Sequence, residues 1–123
     1  MPSRRLLRVA AILKEEIGKI ITHELADPAI GFVTITEVRP APDLRTARVY
    51  VSILGDEEAQ ERSMRALEHA RRHIQAETAS RVSLRLFPTL AFSLDDRIKK
   101  SIRISQLLNM ASEEHNAGDN DGE

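Results

Sequence analysis

A chain of 123 residues is the size of a single domain, and it can bury roughly two thirds of its unfolded surface, so a core needs no staples. Without Cys or Trp, and with only four aromatic residues in Phe and Tyr, disulfide frameworks and thiolate chemistry are excluded and the core must be Leu, Ile, Val and Ala. The net charge of −1 conceals an asymmetry: Glu113, Glu114, Asp119, Asp121 and Glu123 crowd into residues 112–123 with no Lys or Arg, which leaves the rest of the chain at +4.

Met1-Pro2-Ser3-Arg4-Arg5 is basic, but Lys14, Glu15 and Glu16 interrupt any secretory apolar core. No apolar run approaches the ~20 residues of a membrane helix, so a soluble cytoplasmic protein is expected. Residues 4–25 read as a helix, with Leu6, Val9, Leu13, Ile17, Ile20 and Ile21 at helical spacing. Ser3 is the candidate N-cap. Arg4, Arg5 and Arg8 oppose the helix dipole by a few tenths of a kcal/mol each, and cations kept there suit a polyanion as well as a frayed end. Asp27-Pro28 stops the helix, and Gly31 allows a bend.

Residues 32–54 predict an antiparallel hairpin around Pro40-Ala41-Pro42-Asp43-Leu44. Ala47, Val49, Val51 and Ile53 alternate with Arg48, Tyr50 and Ser52, as in a half-buried strand. The first run, Phe32 to Val38, is rich in Val, Ile and Thr but divides its faces less cleanly. Asp56 then opens a second helix to about Thr78, with Glu57 and Glu58 complementing the dipole and Met64, Leu67, Ala70 and Ile74 as the apolar stripe. Arg62, Arg65, Arg71 and Arg72 lie outside that stripe. Val82 to Leu94 reads as a third strand interrupted at Pro88. Asp95-Asp96 caps a short helix with Ile98, Ile102, Ile104, Leu107 and Leu108 as candidate apolar contacts. Residues 112–123 are low in apolar residues and read as a disordered acidic tail to a domain of residues 1–111. The order α-β-β-α-β-α implies an α+β domain, a three-stranded sheet with the long helices packed on one face.

Two blocks carry a specific resemblance. Asp27, Pro28, Gly31, Thr34 and Val38 begin the first, and Asp43, Leu44, Ala47, Val49, Tyr50, Val51 and Ser52 complete it. The second is Arg85-Leu86-Phe87-Pro88-Thr89-Leu90-Ala91-Phe92-Ser93-Leu94-Asp95. Together they resemble the ribosome-binding factor A family over roughly residues 4–108. The resemblance implies a type II KH-like fold and a non-enzymatic assembly factor. Such a factor binds the free small ribosomal subunit and its rRNA, assists late rRNA maturation including 5′-end processing, and matters most in the cold. It also implies a helix kink at an Ala-x-Gly site. Here Ala70-Arg71-Arg72 stands there with Arg in place of Gly, which predicts a straighter helix with an added cation.

The side-chain chemistry is consistent with binding and poor in catalysis. KH domains grip nucleic acid with a Gly-x-x-Gly loop, and this chain has no Gly between Gly55 and Gly118, so that loop is absent. Tyr50 is the best aromatic for stacking a base, while Phe32, Phe87 and Phe92 are expected in the core. Within residues 62–103 ten Lys or Arg face Glu68, Glu77, Asp95 and Asp96, a surplus of +6 that suits phosphate recognition. The candidate RNA-contacting residues are Arg65, Arg71, Arg72, Arg81, Arg85, Arg97, Lys99, Lys100 and Arg103, followed by Arg4, Arg5 and Arg8. His69 and His73 are spaced for a metal, but no third ligand accompanies them and Arg71 and Arg72 disfavour a cation. Asp95 and Asp96 read as caps rather than a catalytic pair. No cofactor or metal is expected, and the chain is expected to be a monomer. A general RNA-binding module or RNA chaperone acting outside the ribosome is the alternative reading, with a small nuclease or a protein adaptor behind it.

Overall fold

The structure is a computed structural model that describes residues 3–25, 27–97 and 102–112. Helix α1 (Arg4–Lys19) starts at Ser3, whose hydroxyl accepts the Leu6 N–H at 3.1 Å. It buries Val9, Leu13 and Ile17. The last turn then widens into a π-helical turn, Ile20–Glu24, in which the Leu25 N–H reaches the Ile20 carbonyl at 3.1 Å. The wider turn shifts the buried face, so the adjacent Ile20 and Ile21 both enter the core. The Asp27 carboxylate accepts the Ala29 N–H and caps a short 3-10 turn, Pro28–Ile30. Gly31 follows at φ 65°, ψ −148°, where a side chain would be strained, and a Cβ there would lie 3.3 Å from Ser63 Oγ.

Strands β1 (Val33–Pro40) and β2 (Thr46–Ile53) pair antiparallel, and β3 (Thr89–Leu94) joins β2 in parallel, giving the order β1-β2-β3. The hairpin turn is held by Leu44 N–H to Ala41 O at 2.8 Å and by the Asp43 carboxylate, which accepts the Arg45 N–H at 3.0 Å. In β2 the alternation is strict: Ala47, Val49, Val51 and Ile53 are all buried. In β1 the ladder register slips between Ile35 and Glu37, leaving Thr36 as the extra residue of a β-bulge. The bulge explains the mixed pattern in the sequence: Ile35 and Val38, three apart, are both buried.

Helix α2 (Glu57–Arg81) is capped by Asp56, which accepts the Ala59 N–H at 2.8 Å. It runs without a break through Ala70-Arg71-Arg72. Its Ala66, Leu67, Ile74 and Thr78 pack with α1 against one face of the sheet; the buried Thr78 hydroxyl donates to the Ile74 carbonyl at 2.7 Å. The opposite face of the sheet has no helix packed on it among the elements assigned.

Three expectations are corrected. The third strand begins at Thr89, not Val82. Thr89 pairs with Thr46, the first residue of β2, so residues upstream find only the hairpin turn beside them. Pro88 also lacks a ladder N–H, and Leu84 N–H turns back to the Val82 carbonyl at 3.0 Å. Phe32 is not a core residue: it is 79% exposed, whereas Phe87 and Phe92 are half-buried against the core. Residues 102–112 are helical, yet Ile102, Ile104, Leu107 and Leu108 are exposed rather than packed. Ile98 lies outside the described residues, as do residues 113–123 of the expected tail, whose first residue Ser112 is helical.

Candidate nucleic-acid interface

The 25-residue α2 sorts its arginines by angle. At 3.6 residues per turn, Arg65 and Arg72 fall opposite the buried row of Ala66, Leu67, Ile74 and Thr78, and Arg62 lies on the flank, one turn before Ala66. All three are exposed and have no acidic partner among the described residues. The exposed His69 and His73 interleave with them, and Arg62 to Arg72 spans about 15 Å of helix axis. This stripe presents cations without aromatic faces, a surface for phosphates rather than bases.

The other candidate residues separate. Arg71, one position from Arg72, is half-buried and bonds Glu68 Oε1 at 2.9 Å through Nε. Arg81 bonds Glu24 at 2.5 Å and Glu77 at 3.3 Å, tying the end of α2 to the π-helical turn. The Glu24 bond raises the Arg81 pKa above its ordinary value. Its charge is therefore spent inside the fold. Arg85 is exposed on the irregular segment before β3, and Arg103 is exposed on the helical stretch 102–112. Arg4, Arg5 and Arg8 are exposed on the first turns of α1. Lys99 and Lys100 lie outside the described residues.

Arg97 is on the other side of the molecule. There β3 ends, and Asp95 continues its ladder for one bond, donating N–H to the Val51 carbonyl at 2.7 Å. The Asp95 side chain, 7% exposed, accepts the hydroxyl of the bulge residue Thr36 at 2.6 Å and three N–H groups of Arg97 at 2.8 to 3.0 Å. Arg97 reaches on to Glu37 at 2.9 Å, and Glu37 holds Arg39 at 2.8 Å. Both guanidinium groups stand over the Tyr50 ring, 5.4 and 5.7 Å from its centroid. The clasp thus joins the ends of β1 and β3 across β2. Arg97 first, then Thr36, holds the Asp95 carboxyl well below the usual carboxylate range, and Asp95 raises Arg97. Glu37 is lowered chiefly by Arg39.

Two functional readings follow. A carboxylate held by an arginine at 2.8 Å is the opposite of a poised general acid, so Asp95 does not suit that role. Tyr50, the expected stacking residue, has its ring approached by two guanidinium groups, at 5.4 and 5.7 Å from its centroid. Among the described residues no group of three or more His, Cys, Asp or Glu could hold a metal. No helix among the described residues is long and apolar enough to cross a membrane. Arg62, outside the expected set, lies at i, with Arg65 at i+3 and Arg72 at i+10, and is exposed like them.

Comparison with known proteins agrees with this architecture. The family profile described as Ribosome-binding factor A matches residues 5–108. A ribosome-binding factor A of Desulfitobacterium hafniense is 43% identical over 114 residues, 93% of this chain and 91% of that protein. One from Thermodesulfovibrio yellowstonii is 38% identical over 107 residues, 87% and 90% of the two chains. The crystal structure of ribosome-binding factor A from Thermus thermophilus superposes with a TM-score of 0.64 at 32% identity, covering 72% of this chain and 93% of that one. A homology model of the Thermus thermophilus factor, fitted into the cryo-EM map of a 30S complex, gives 0.58 at 34% identity over 70% and 90%. The matched segments include the hairpin, the long α2 and the strand after it, and the chain belongs to the ribosome-binding factor A family.

Proposed function

We propose that this protein is a non-enzymatic assembly factor that binds the free small ribosomal subunit through the outward stripe of α2. Arg62, Arg65 and Arg72 grip rRNA phosphates, with His69 and His73 beside them and Arg85 as a flanking contact. The bound factor assists late maturation of the subunit's rRNA, including processing at the 5′ end. One observation carries the reading: these guanidinium groups have no acidic partner among the described residues, whereas Arg71, Arg81, Arg97 and Arg39 are each held by a carboxylate. The 30S complex of the Thermus thermophilus relative supports the choice of partner.

Co-sedimentation with purified small subunits, over a salt series, tests it. Three neutralised phosphates give a slope of log affinity against log salt of roughly −2 to −3, steeper with each flanking contact. The double variant Arg65→Glu, Arg72→Glu should flatten that slope by at least about 1.4 and release the protein from the subunit. Unchanged affinity and slope in the folded variant would move the interface off α2, to Arg4, Arg5 and Arg8 first. Equal affinity for random RNA and for the subunit would favour a general RNA chaperone. Mapping rRNA 5′ ends in depleted cells tests the processing role: accumulation of unprocessed precursor is expected.

A further inference from the structure

Like charges meet across two strands of the open sheet face. Arg39 of β1 and Arg48 of β2 are register partners, and both are exposed. Their neighbours Val38, Ala47 and Val49 are buried on the other face. Two cations directly opposite each other destabilise an antiparallel pair. Here the two guanidinium groups are drawn to different partners. Arg39 gives Nε to Glu37 at 2.8 Å, and Arg48 donates from Nη1 to Ser93 Oγ on β3 at 2.6 Å. No carboxylate holds Arg48 among the described residues.

A hollow of about 300 Å³ lies at this pair, and its lining includes Arg39, Ala41, Thr46, Arg48, Tyr50 and Ala91. Ala91 is the register partner of Arg48 on β3, a small side chain beside a long cation. Thr46 and Tyr50, two positions to either side of Arg48, bring hydroxyls to the same face. Across this face Arg39, Arg48 and Arg97 stand against Glu37 and Asp95, three cations to two carboxylates, which leaves one positive charge in excess. That excess matches a phosphodiester, which is a monoanion. Donors from two strands suit a tetrahedral group with oxygens on several sides, whereas a planar carboxylate is filled by a single guanidinium fork. No helix among the elements assigned packs over the hollow, so a backbone can enter it and leave.

We propose that Arg48, with the terminal nitrogens of Arg39 and the hydroxyls of Thr46 and Tyr50, forms a binding site for a nucleic-acid backbone phosphate, separate from the cationic stripe of α2. The phosphate lies between the two arginines and relieves their repulsion. Helix α2 packs on the opposite face of the sheet with its stripe turned outward, so the two sites face away from each other and can hold two nucleic-acid segments at once.

Amide and arginine Nε–H chemical shifts of the full-length, 15N-labelled protein test this. The protein carries Arg65→Glu and Arg72→Glu, so the stripe is disabled and the outcome does not depend on it. The probe is a twelve-nucleotide oligouridylate with hydroxyl ends, in which every phosphate is a diester. It should bind saturably and shift Thr46, Arg48, Tyr50 and Ala91. Adding Arg48→Ala should weaken binding roughly tenfold or more, the loss expected for a hydrogen bond to a charged group, and reduce the slope of log affinity against log salt by about 0.7. A second variant, Ala91→Glu, keeps every arginine of the site, puts a carboxylate beside Arg48, and should also weaken binding. Oligouridylate that shifts none of these residues, or that binds both variants unchanged, would overturn the proposal. Equal binding of a twelve-residue peptide alternating Glu and Leu would overturn it too, by making this a surface for acidic protein segments.

Discussion

The outer side of α2 and the clasp end of the open sheet face are both rich in arginine, and they use it oppositely. On α2, Arg62, Arg65 and Arg72 project from a regular helix with no carboxylate in ion-pair contact among the described residues. On the sheet, Arg97 and Arg39 are bound to Asp95 and Glu37 and laid over Tyr50. The first group leaves its charge open at the surface; the second consumes it in joining β1 to β3. Counting cations along the chain gives both regions equal weight. Their neighbours separate binding from architecture.

The largest disruption strikes the layer between the two faces. Val51 is fully buried at the centre of the sheet, and Val51→Asp places an unpaired carboxylate there at a cost of several kcal/mol. Against a typical stability of about 5–15 kcal/mol, the variant should lose its cooperative thermal transition. A stable, folded Val51→Asp protein would reverse the assignment of faces on which the comparison depends.

Crossed variants sharpen the comparison itself. Reversal of Arg65 and Arg72 should weaken small-subunit binding on the order of thirtyfold to a hundredfold near 100 mM salt and leave the melting temperature nearly unchanged. Arg97→Ala should do the opposite. It leaves the Asp95 carboxylate with only the Thr36 hydroxyl and the backbone N–H of residue 97, so the melting temperature should fall by several degrees while subunit affinity holds. An Arg97→Ala protein that melts normally and fails to bind would assign the clasp to the interface.

Acid separates the regions more gently. The Asp95 carboxyl is held below its ordinary value, so its stabilising effect is complete above the unfolded pKa of about 3.9 and is lost as pH falls toward the folded value. Melting temperature should decline below about pH 4, and Asp95→Asn should flatten that acid limb while lowering stability at neutral pH. An acid limb unchanged by Asp95→Asn would place the titrating group elsewhere. The smallest effect expected is from removing residues 113–123. The five acids there oppose polyanion approach, so the shortened chain should bind random RNA a few-fold tighter, and identical affinity would rule that opposition out.

Regular periodicity made much of the fold legible. The alternation of Ala47, Val49, Val51 and Ile53 identified an inner face that the structure buries completely. Helical spacing located Val9, Leu13, Ile17, Leu67 and Ile74, and short-range chemistry located the caps at Ser3 and Asp56, since a cap needs only neighbours three residues away. The outward side of α2 was legible for the same reason: a helix fixes the angle between Arg65 and Arg72 wherever it packs.

What depended on distant partners was not legible. The strand beginning at Thr89 rather than Val82 is decided by where β2 begins, more than forty positions earlier in the chain. Thr36 reads as one more β-branched residue until the bulge aims its hydroxyl at Asp95, 59 positions away. The same holds for Arg81 and Glu24, 57 positions apart, and for Phe32, whose size argued for burial while the register turned it outward. Sequence by itself determined the elements, their inner faces and the family motifs, because these rest on local dihedral preference and on the periods 3.6 and 2. Tertiary structure decided the long-range commitments, Arg81 to Glu24 and Arg97 to Glu37. A guanidinium pairs with a carboxylate only within about 4 Å, and folding alone brings such distant positions together, whereas Glu68 reaches Arg71 along one helix and Glu37 reaches Arg39 along one strand.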